Sequence, residues 1–65
     1  MNKNTIRQKR LEAGISQEEL ARRSSISRQF LGIIEHNASA PTVYVAIRIA
    51  RELGYRIEQL FEADK

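Results

Sequence analysis

Hydrophobic residues recur at helical spacing along the chain, and capping residues and glycines separate these stretches from one another. The first stretch runs from about Thr5 to Ala13, where Asn4 or Thr5 can supply an N-cap. It ends at Gly14, a residue type that readily adopts the positive φ of a helix C-terminus. This pattern predicts a first helix.

Two further helices follow at short spacing. Ser16 to Glu19 has the residue types of a capping box, in which the serine accepts from a backbone amide and the glutamate reaches back. The helix that this box opens extends to about Arg23 or Ser24. Ser27 is placed to cap a third helix, which extends to about Glu35 or His36.

The last third of the chain predicts two more helices. Thr42 can cap a fourth, whose apolar residues repeat with a helical period until Gly54 ends it. Ile57 and Leu60 indicate a short fifth helix. No stretch alternates apolar and polar residues between turn pairs, so no strand is predicted. The expected core consists of Ile6, Ile15, Leu20, Ala21, Ile26, Leu31, Ile34, Val43, Ala46, Ile49, Ala50, Leu53, Ile57 and Leu60.

The chain length limits the architecture to one small domain. With 65 residues, the chain is expected to be a single compact all-α domain over residues 1–65. A domain of this size buries only about 60% of the surface of its unfolded chain. Because the sequence has no cysteine and a single histidine, neither disulfides nor a metal centre can supplement that core. We expect no cofactor, and a second copy of the chain is the favoured source of added stability.

Basic residues are concentrated in the first half of the chain. Residues 1–30 carry seven Lys or Arg and three Glu, and residues 31–65 carry four basic and five acidic residues. A basic half suits a polyanionic partner, although a solvated surface of mixed charge explains the same numbers. No apolar run is long enough for a membrane span and residues 1–5 include no apolar leader, so we expect a cytoplasmic protein without membrane contact.

Residues 17–36 have the pattern of two helices that cross steeply over a short turn. Such a crossing requires a small residue at the contact, and Ala21 supplies one. If Leu31 and Ile34 face inward, the helix of residues 27–36 presents a polar outward face at its N-terminal end. The residues of that face are Ser27, Arg28, Gln29, Gly32 and Ile33.

In these features the chain resembles the helix-turn-helix transcriptional regulators of the Cro and phage-repressor (XRE) type, over nearly its whole length. The features that carry the resemblance are Ile6 with Arg10, Gly-Ile-Ser-Gln-Glu-Glu-Leu-Ala at 14–21, Ile26-Ser27-Arg28, Ile34-Glu35, Pro41-Thr42, and Leu53-Gly54 leading to Leu60-Phe61. The resemblance implies a five-helix lambda-repressor-like domain of a bacterial or phage regulator. It also implies a homodimer on a palindromic double-stranded DNA operator, with the third helix in the major groove.

The resemblance assigns roles to individual residues. Bases would be contacted by Ser27, Arg28, Gln29, Gly32 and Ile33, and phosphates by Arg10, Ser16, Gln17, His36, Asn37 and Ser39. Arg10 would also pair with Glu35 inside the domain, and Gln17 would buttress the recognition helix. We expect the dimer contact to use Tyr55, Arg56, Ile57, Leu60 and Phe61.

The chemistry of the outward side chains agrees with base contacts. Arg28 can donate two hydrogen bonds to guanine, and Gln29 can pair with adenine in the same way. Ile33 is suited to packing on a thymine methyl group, to burial in the core or to a place in a dimer surface. His36 fits a helix C-terminus, where the dipole favours it, as well as a phosphate.

At the turn, Ser24 and Ser25 stand where the family usually has an aliphatic residue followed by glycine. If Ser25 adopts a positive φ, it is strained where glycine would not be.

Two other classes of function compete with DNA-binding regulation. An enzyme is disfavoured because the sequence contains no cysteine, only one histidine and no glycine-rich phosphate loop. An antitoxin-like module that binds a partner protein as well as DNA is the stronger alternative. The fourth helix and the C-terminal segment offer a surface for it through Tyr44, Ile47, Arg51, Tyr55 and Phe61.

Overall fold

The residues that the structure describes form five short helices, as the apolar pattern predicts. A computed structural model describes residues 3–36 and 41–62 of the chain. The helices are α1 (Ile6–Glu12), α2 (Gln17–Arg23), α3 (Arg28–Glu35), α4 (Val43–Leu53) and α5 (Ile57–Leu60). The all-α, five-helix class is therefore confirmed.

Side-chain caps begin three of the helices where the sequence predicts them. Ser16 Oγ accepts from Glu19 N at 3.0 Å, Ser27 Oγ accepts from Phe30 N at 3.0 Å, and Thr42 Oγ1 accepts from Val45 N at 3.2 Å. Each bond satisfies an amide that has no partner within its own helix. Helix α1 begins differently, since Asn4 Oδ1 accepts from Ile6 N at 3.1 Å while the Thr5 side chain makes no capping bond.

Only half of the predicted capping box is formed at α2. The Glu19 carboxylate does not reach back to Ser16, because it accepts hydrogen bonds from the guanidinium groups of Arg22 and Arg23 instead. Charged donors three and four residues ahead outcompete a neutral backbone amide for this carboxylate.

The core lies where the helices meet. Its most deeply buried side chains are Ile6, Leu20, Leu31, Ile34, Ile49 and Leu60, with Ala21, Ala46 and Ala50 beside them. Ile15, Ile26, Leu53 and Ile57 are partly buried against this cluster. The prediction for Val43 is wrong, since its side chain is 73% exposed. Val43 is the first residue of α4 after the Thr42 cap, and there it lies on the outward side.

A feature that the sequence does not predict joins the two ends of the domain. Strand β1 (Lys3–Asn4) pairs antiparallel with strand β2 (Phe61–Glu62), with Asn4 opposite Phe61. The amide of Thr5 also donates to the carbonyl of Leu60 at 2.8 Å. Each strand has only two residues, which is too short for an alternation of apolar and polar residues to be recognised in the sequence. The pairing secures α5 beside the start of α1.

Left-handed backbone occurs at the two predicted glycines and at one serine. Gly14 and Gly54 have φ of 72° and 79°, and each ends a helix. Ser25, in the turn between α2 and α3, has a φ of 61°, as anticipated for the position where the family usually has glycine. Beside it, the Ser24 hydroxyl is fully buried and finds no hydrogen-bond partner among the described residues.

Replacing Ser25 with glycine should therefore stabilise the domain. Glycine avoids the steric cost of the left-handed region but loses more entropy on folding, so we expect a net gain of about 0.5–1 kcal/mol in the free energy of unfolding. Urea denaturation followed by circular dichroism measures this change. Ser25→Ala is the matched control and should give no gain. If Ser25→Gly were less stable than the parent protein, the inference of backbone strain at Ser25 would be contradicted.

Candidate nucleic-acid interface

Helices α2 and α3 pack on one another across a tight turn. The turn is held by backbone bonds from Ser25 N to Arg22 O at 3.2 Å and from Ile26 N to Ala21 O at 3.0 Å. Ala21 is 2% exposed, which agrees with its predicted role as the small residue at the helix crossing. This geometry fixes the orientation of α3 relative to α2.

The two sides of α3 differ in the way that its sequence predicts. Leu31 and Ile34 are fully buried in the core. Arg28 and Gln29 are exposed, as are Ser27 at the N-cap and Ile33 one turn further on. The polar N-terminal side of α3 is thus open to a partner, and its apolar side anchors it.

Two hydrophobic residues on α3 differ in their exposure. Ile33 is 45% exposed, so it is not a core residue, and a thymine methyl or a dimer surface remains as its partner. Phe30 is half-buried and packs against the core cluster.

A buried ion pair connects α1 to the end of α3. Arg10 donates from Nε to Glu35 Oε2 at 2.8 Å and from Nη2 to Glu35 Oε1 at 3.2 Å. Its Nη1 donates to the carbonyl of Ile15 at 3.1 Å. The exposed fractions of the Arg10 and Glu35 side chains are 8% and 1%. The predicted pair is confirmed, but Arg10 is too deeply buried to reach a phosphate, and that part of its predicted role is wrong.

Gln17 completes this cluster from the first turn of α2. Its Nε2 donates to Glu35 Oε1 at 3.1 Å and lies 3.6 Å from the point where a Cβ on Gly32 would stand. Gln17 is therefore the buttress of α3 that was predicted. The specific bond to Glu35 was not, because residues 18 positions apart carry no common local pattern.

Two of the other candidate phosphate contacts are exposed at helix ends, and two are not among the described residues. Ser16 is exposed at the N-cap of α2. His36 is exposed at the end of α3, with Nδ1 3.0 Å from the carbonyl of Gly32, the position that its helix-dipole interpretation requires. Asn37 and Ser39 lie outside the described residues.

Two arginines near the turn belong to the solvated side of α2. Arg22 and Arg23 both bind the Glu19 carboxylate, Arg23 Nε at 2.7 Å. The hydrogen bond from Arg22, reinforced by the one from Arg23, lowers the pKa of Glu19 below its usual value. The two guanidinium groups thus share one carboxylate within the domain, which offsets one of their two positive charges.

Only part of the predicted dimer surface is accessible to solvent in the single chain. Arg56 is exposed, while Tyr55, Ile57 and Phe61 are half-buried against the core. Lys9 Nζ lies 5.0 Å from the centre of the Tyr55 ring. Leu60 is 1% exposed in the single chain, so its assignment to a dimer contact is wrong. Leu60 is a core residue, as the predicted core also has it.

Within residues 3–36 and 41–62, no group of three or more His, Asp or Glu side chains is arranged to hold a metal ion. None of the helices described there combines the length and the apolar character that a membrane span requires.

Known proteins share both the sequence pattern and the geometry of this domain. The helix-turn-helix family matches residues 6–60. An uncharacterized HTH-type transcriptional regulator of Methanothermobacter thermautotrophicus is 43% identical over 61 residues, which are 92% of this chain and 88% of that protein. YqaF of Bacillus subtilis, another uncharacterized HTH-type transcriptional regulator, is 34% identical over 62 residues, 95% and 82% of the two chains.

A solved structure shows the same fold bound to nucleic acid. It is that of SinR, a master regulator for biofilm formation from Bacillus subtilis, in complex with DNA. The TM-score is 0.75 and the identity 28%, over 82% of this chain and 86% of the other. The matched family region includes α2, the turn and α3.

Proposed function

The chain belongs to the helix-turn-helix family of the Cro and phage-repressor type, and on that basis we propose that it regulates transcription by binding a palindromic DNA operator. The proposal takes α3 as the recognition helix, lying in the major groove. It does not involve catalysis. Such a regulator acts in the cytoplasm, where its DNA is.

The observation that carries the proposal is the division of α3 into a buried and an exposed side. Leu31 and Ile34 hold the helix in the core, so that Arg28 and Gln29 extend outward from its first turn. The major groove admits an α-helix, and the N-terminal residues of a recognition helix contact base edges there. Arg28 suits guanine and Gln29 suits adenine, while Ile33 suits a thymine methyl group.

The operator is bound by a dimer in this proposal. A symmetric pair places two recognition helices about 34 Å apart, on successive major grooves of one face of the duplex. The exposed Arg56 and the half-buried Tyr55, Ile57 and Phe61 supply the contact between copies. A domain with so small a core also gains stability from such a contact.

Selection from a pool of random-sequence duplexes with the purified protein tests this function. We expect enrichment of a palindromic consensus whose half-site centres are about one helical turn apart. The Arg28→Ala/Gln29→Ala variant, carried through the same selection, should enrich a different or much weaker consensus. Failure of the parent protein to enrich any sequence would refute sequence-specific binding, and a consensus without symmetry would refute the dimer.

Gln17 should contribute to affinity without contributing to sequence preference. Its side chain lies between α2 and α3, and its free N–H can reach a phosphate beside the groove. We expect Gln17→Ala to weaken binding to all operator sequences by about the same factor, roughly tenfold for one lost hydrogen bond to a charged group. Fluorescence anisotropy with the selected operator and its single-base variants measures this. A changed order of preference among those variants would contradict a purely positioning role.

A further inference from the structure

The exposed apolar side chains of α4 lie together on one side of that helix. Val43 is 73% exposed, Tyr44 66% and Ile47 39%. Val43 and Tyr44 precede Ile47 by four and three residues, so both lie about one helical turn from it on the same side of α4. Exposed apolar residues that form a contiguous patch mark interaction sites on soluble proteins, whereas scattered single ones are normal on any surface.

Arginines surround these side chains. A shallow groove of about 220 Å³ is lined by Arg23, Tyr44, Ile47, Arg48, Arg51 and Glu52. Among the described residues, neither Arg48 nor Arg51 forms a salt bridge with an acidic side chain. The groove therefore has unneutralised positive charge beside apolar surface.

Tyr44 and Arg48 contact each other at one side of the groove. Arg48 Nη2 donates to the Tyr44 hydroxyl at 3.0 Å, and its guanidinium carbon lies 4.7 Å from the centre of the Tyr44 ring. The same hydrogen bond lowers the pKa of the Tyr44 hydroxyl below its ordinary value. Tyrosine and arginine are the residue types most enriched at binding hot spots.

We propose that this α4 face, made of Val43, Tyr44, Ile47, Arg48 and Arg51, docks an acidic segment of another protein that also carries apolar side chains. The surface is separate from the outward side of α3 and goes beyond DNA binding. Carboxylates of the partner would pair with Arg48 and Arg51, and an apolar side chain would cover Ile47.

The composition of the face disfavours two other occupants. A second copy bound through a two-fold axis would bring Arg48 and Arg51 of both chains to one contact, where the Glu52 carboxylate of each chain offsets only half of their charge. A DNA backbone would neutralise the arginines but would leave Val43 and Ile47 facing phosphates, without any apolar group to cover them. An acidic and partly apolar polypeptide satisfies both kinds of surface at once.

A random-peptide library displayed on phage and selected against the full chain tests the proposal. We expect the enriched peptides to combine Asp or Glu with aromatic or aliphatic residues. A synthetic peptide of the enriched sequence should bind Arg51→Glu roughly tenfold more weakly, since an attraction becomes a repulsion. Arg7→Glu, which reverses an exposed arginine on α1, is the matched control and should bind the peptide as the parent does. Thermal unfolding of each variant verifies that it is folded.

Four results would overturn the proposal. Peptides without acidic residues, or equal binding by the parent and Arg51→Glu, would show that the charges of this face do not select a partner. A loss of operator affinity in Arg51→Glu as large as its loss of peptide affinity would assign the face to DNA phosphates. A change of oligomeric state in Arg51→Glu, measured by sedimentation equilibrium, would assign it to a second copy.

Discussion

Replacing Glu35 with alanine is expected to lower the free energy of unfolding by about 3–5 kcal/mol, because the Arg10 guanidinium is left buried without its counter-charge. Nearly all of the Arg10 and Glu35 side chains is removed from solvent, and two hydrogen bonds join them. A domain of this length has about 3–10 kcal/mol of stability in total. Glu35→Ala should therefore lose a large part of the stability of the domain, and the midpoint of urea denaturation followed by circular dichroism should fall accordingly.

Two companion variants separate loss of the pair from loss of packing. In Arg10→Met/Glu35→Leu both charges are replaced by apolar groups of similar size, so that no unpaired charge remains in the core, and we expect most of the stability to return. Glu19→Ala removes two ion pairs at the surface, where solvent screens the charges, and should have a far smaller effect. Equal losses in Glu35→Ala and Glu19→Ala would contradict the buried character of the Arg10–Glu35 pair.

Replacing Arg28 with alanine should relax the preference for one base pair in each half of the operator. A bidentate arginine contact with guanine discriminates between bases by about 1–3 kcal/mol, which is roughly 5- to 150-fold in affinity. The affinity for the preferred operator should fall by a factor in this range, while the affinity for operators changed at that base pair stays nearly constant. Anisotropy titrations against the four possible base pairs at the position measure both quantities.

Arg51→Ala is the control for this prediction, because it removes one exposed positive charge from α4 without altering α3. It should leave the order of preference among the four operators unchanged. A uniform loss of affinity in Arg28→Ala, across all four operators, would instead make Arg28 a phosphate contact.

The features that sequence predicts well here are the local ones. Ser16, Ser27 and Thr42 begin helices because a short side chain can satisfy an amide three residues ahead, and this requires no knowledge of the rest of the fold. The inward side of α3 follows from the helical period of Leu31 and Ile34 for the same reason.

Features that depend on distant contacts were only partly predictable. The strand pair at the termini joins Asn4 to Phe61, and neither two-residue segment has a pattern of its own. Gln17 meets Glu35 only because α2 and α3 cross. Val43 has the helical spacing of a core residue, but its place in the first turn of α4 leaves it exposed. The sequence does not give the position of α5, so it could not show that Leu60 is buried in the core instead of lying at a dimer contact.

The placement of α3 in the major groove can be tested by removing one hydrogen-bonding group at a time from a guanine of the operator. Guanine N7 lies in the major groove and the guanine N2 amino group in the minor groove. If α3 reads the major groove, 7-deazaguanine at the guanine contacted in each half-site will weaken binding roughly tenfold, and Arg28→Ala will be insensitive to it. Inosine at the same position, which lacks only the N2 amino group, will bind as guanine does. Loss of binding with inosine but not with 7-deazaguanine would contradict this account of the protein.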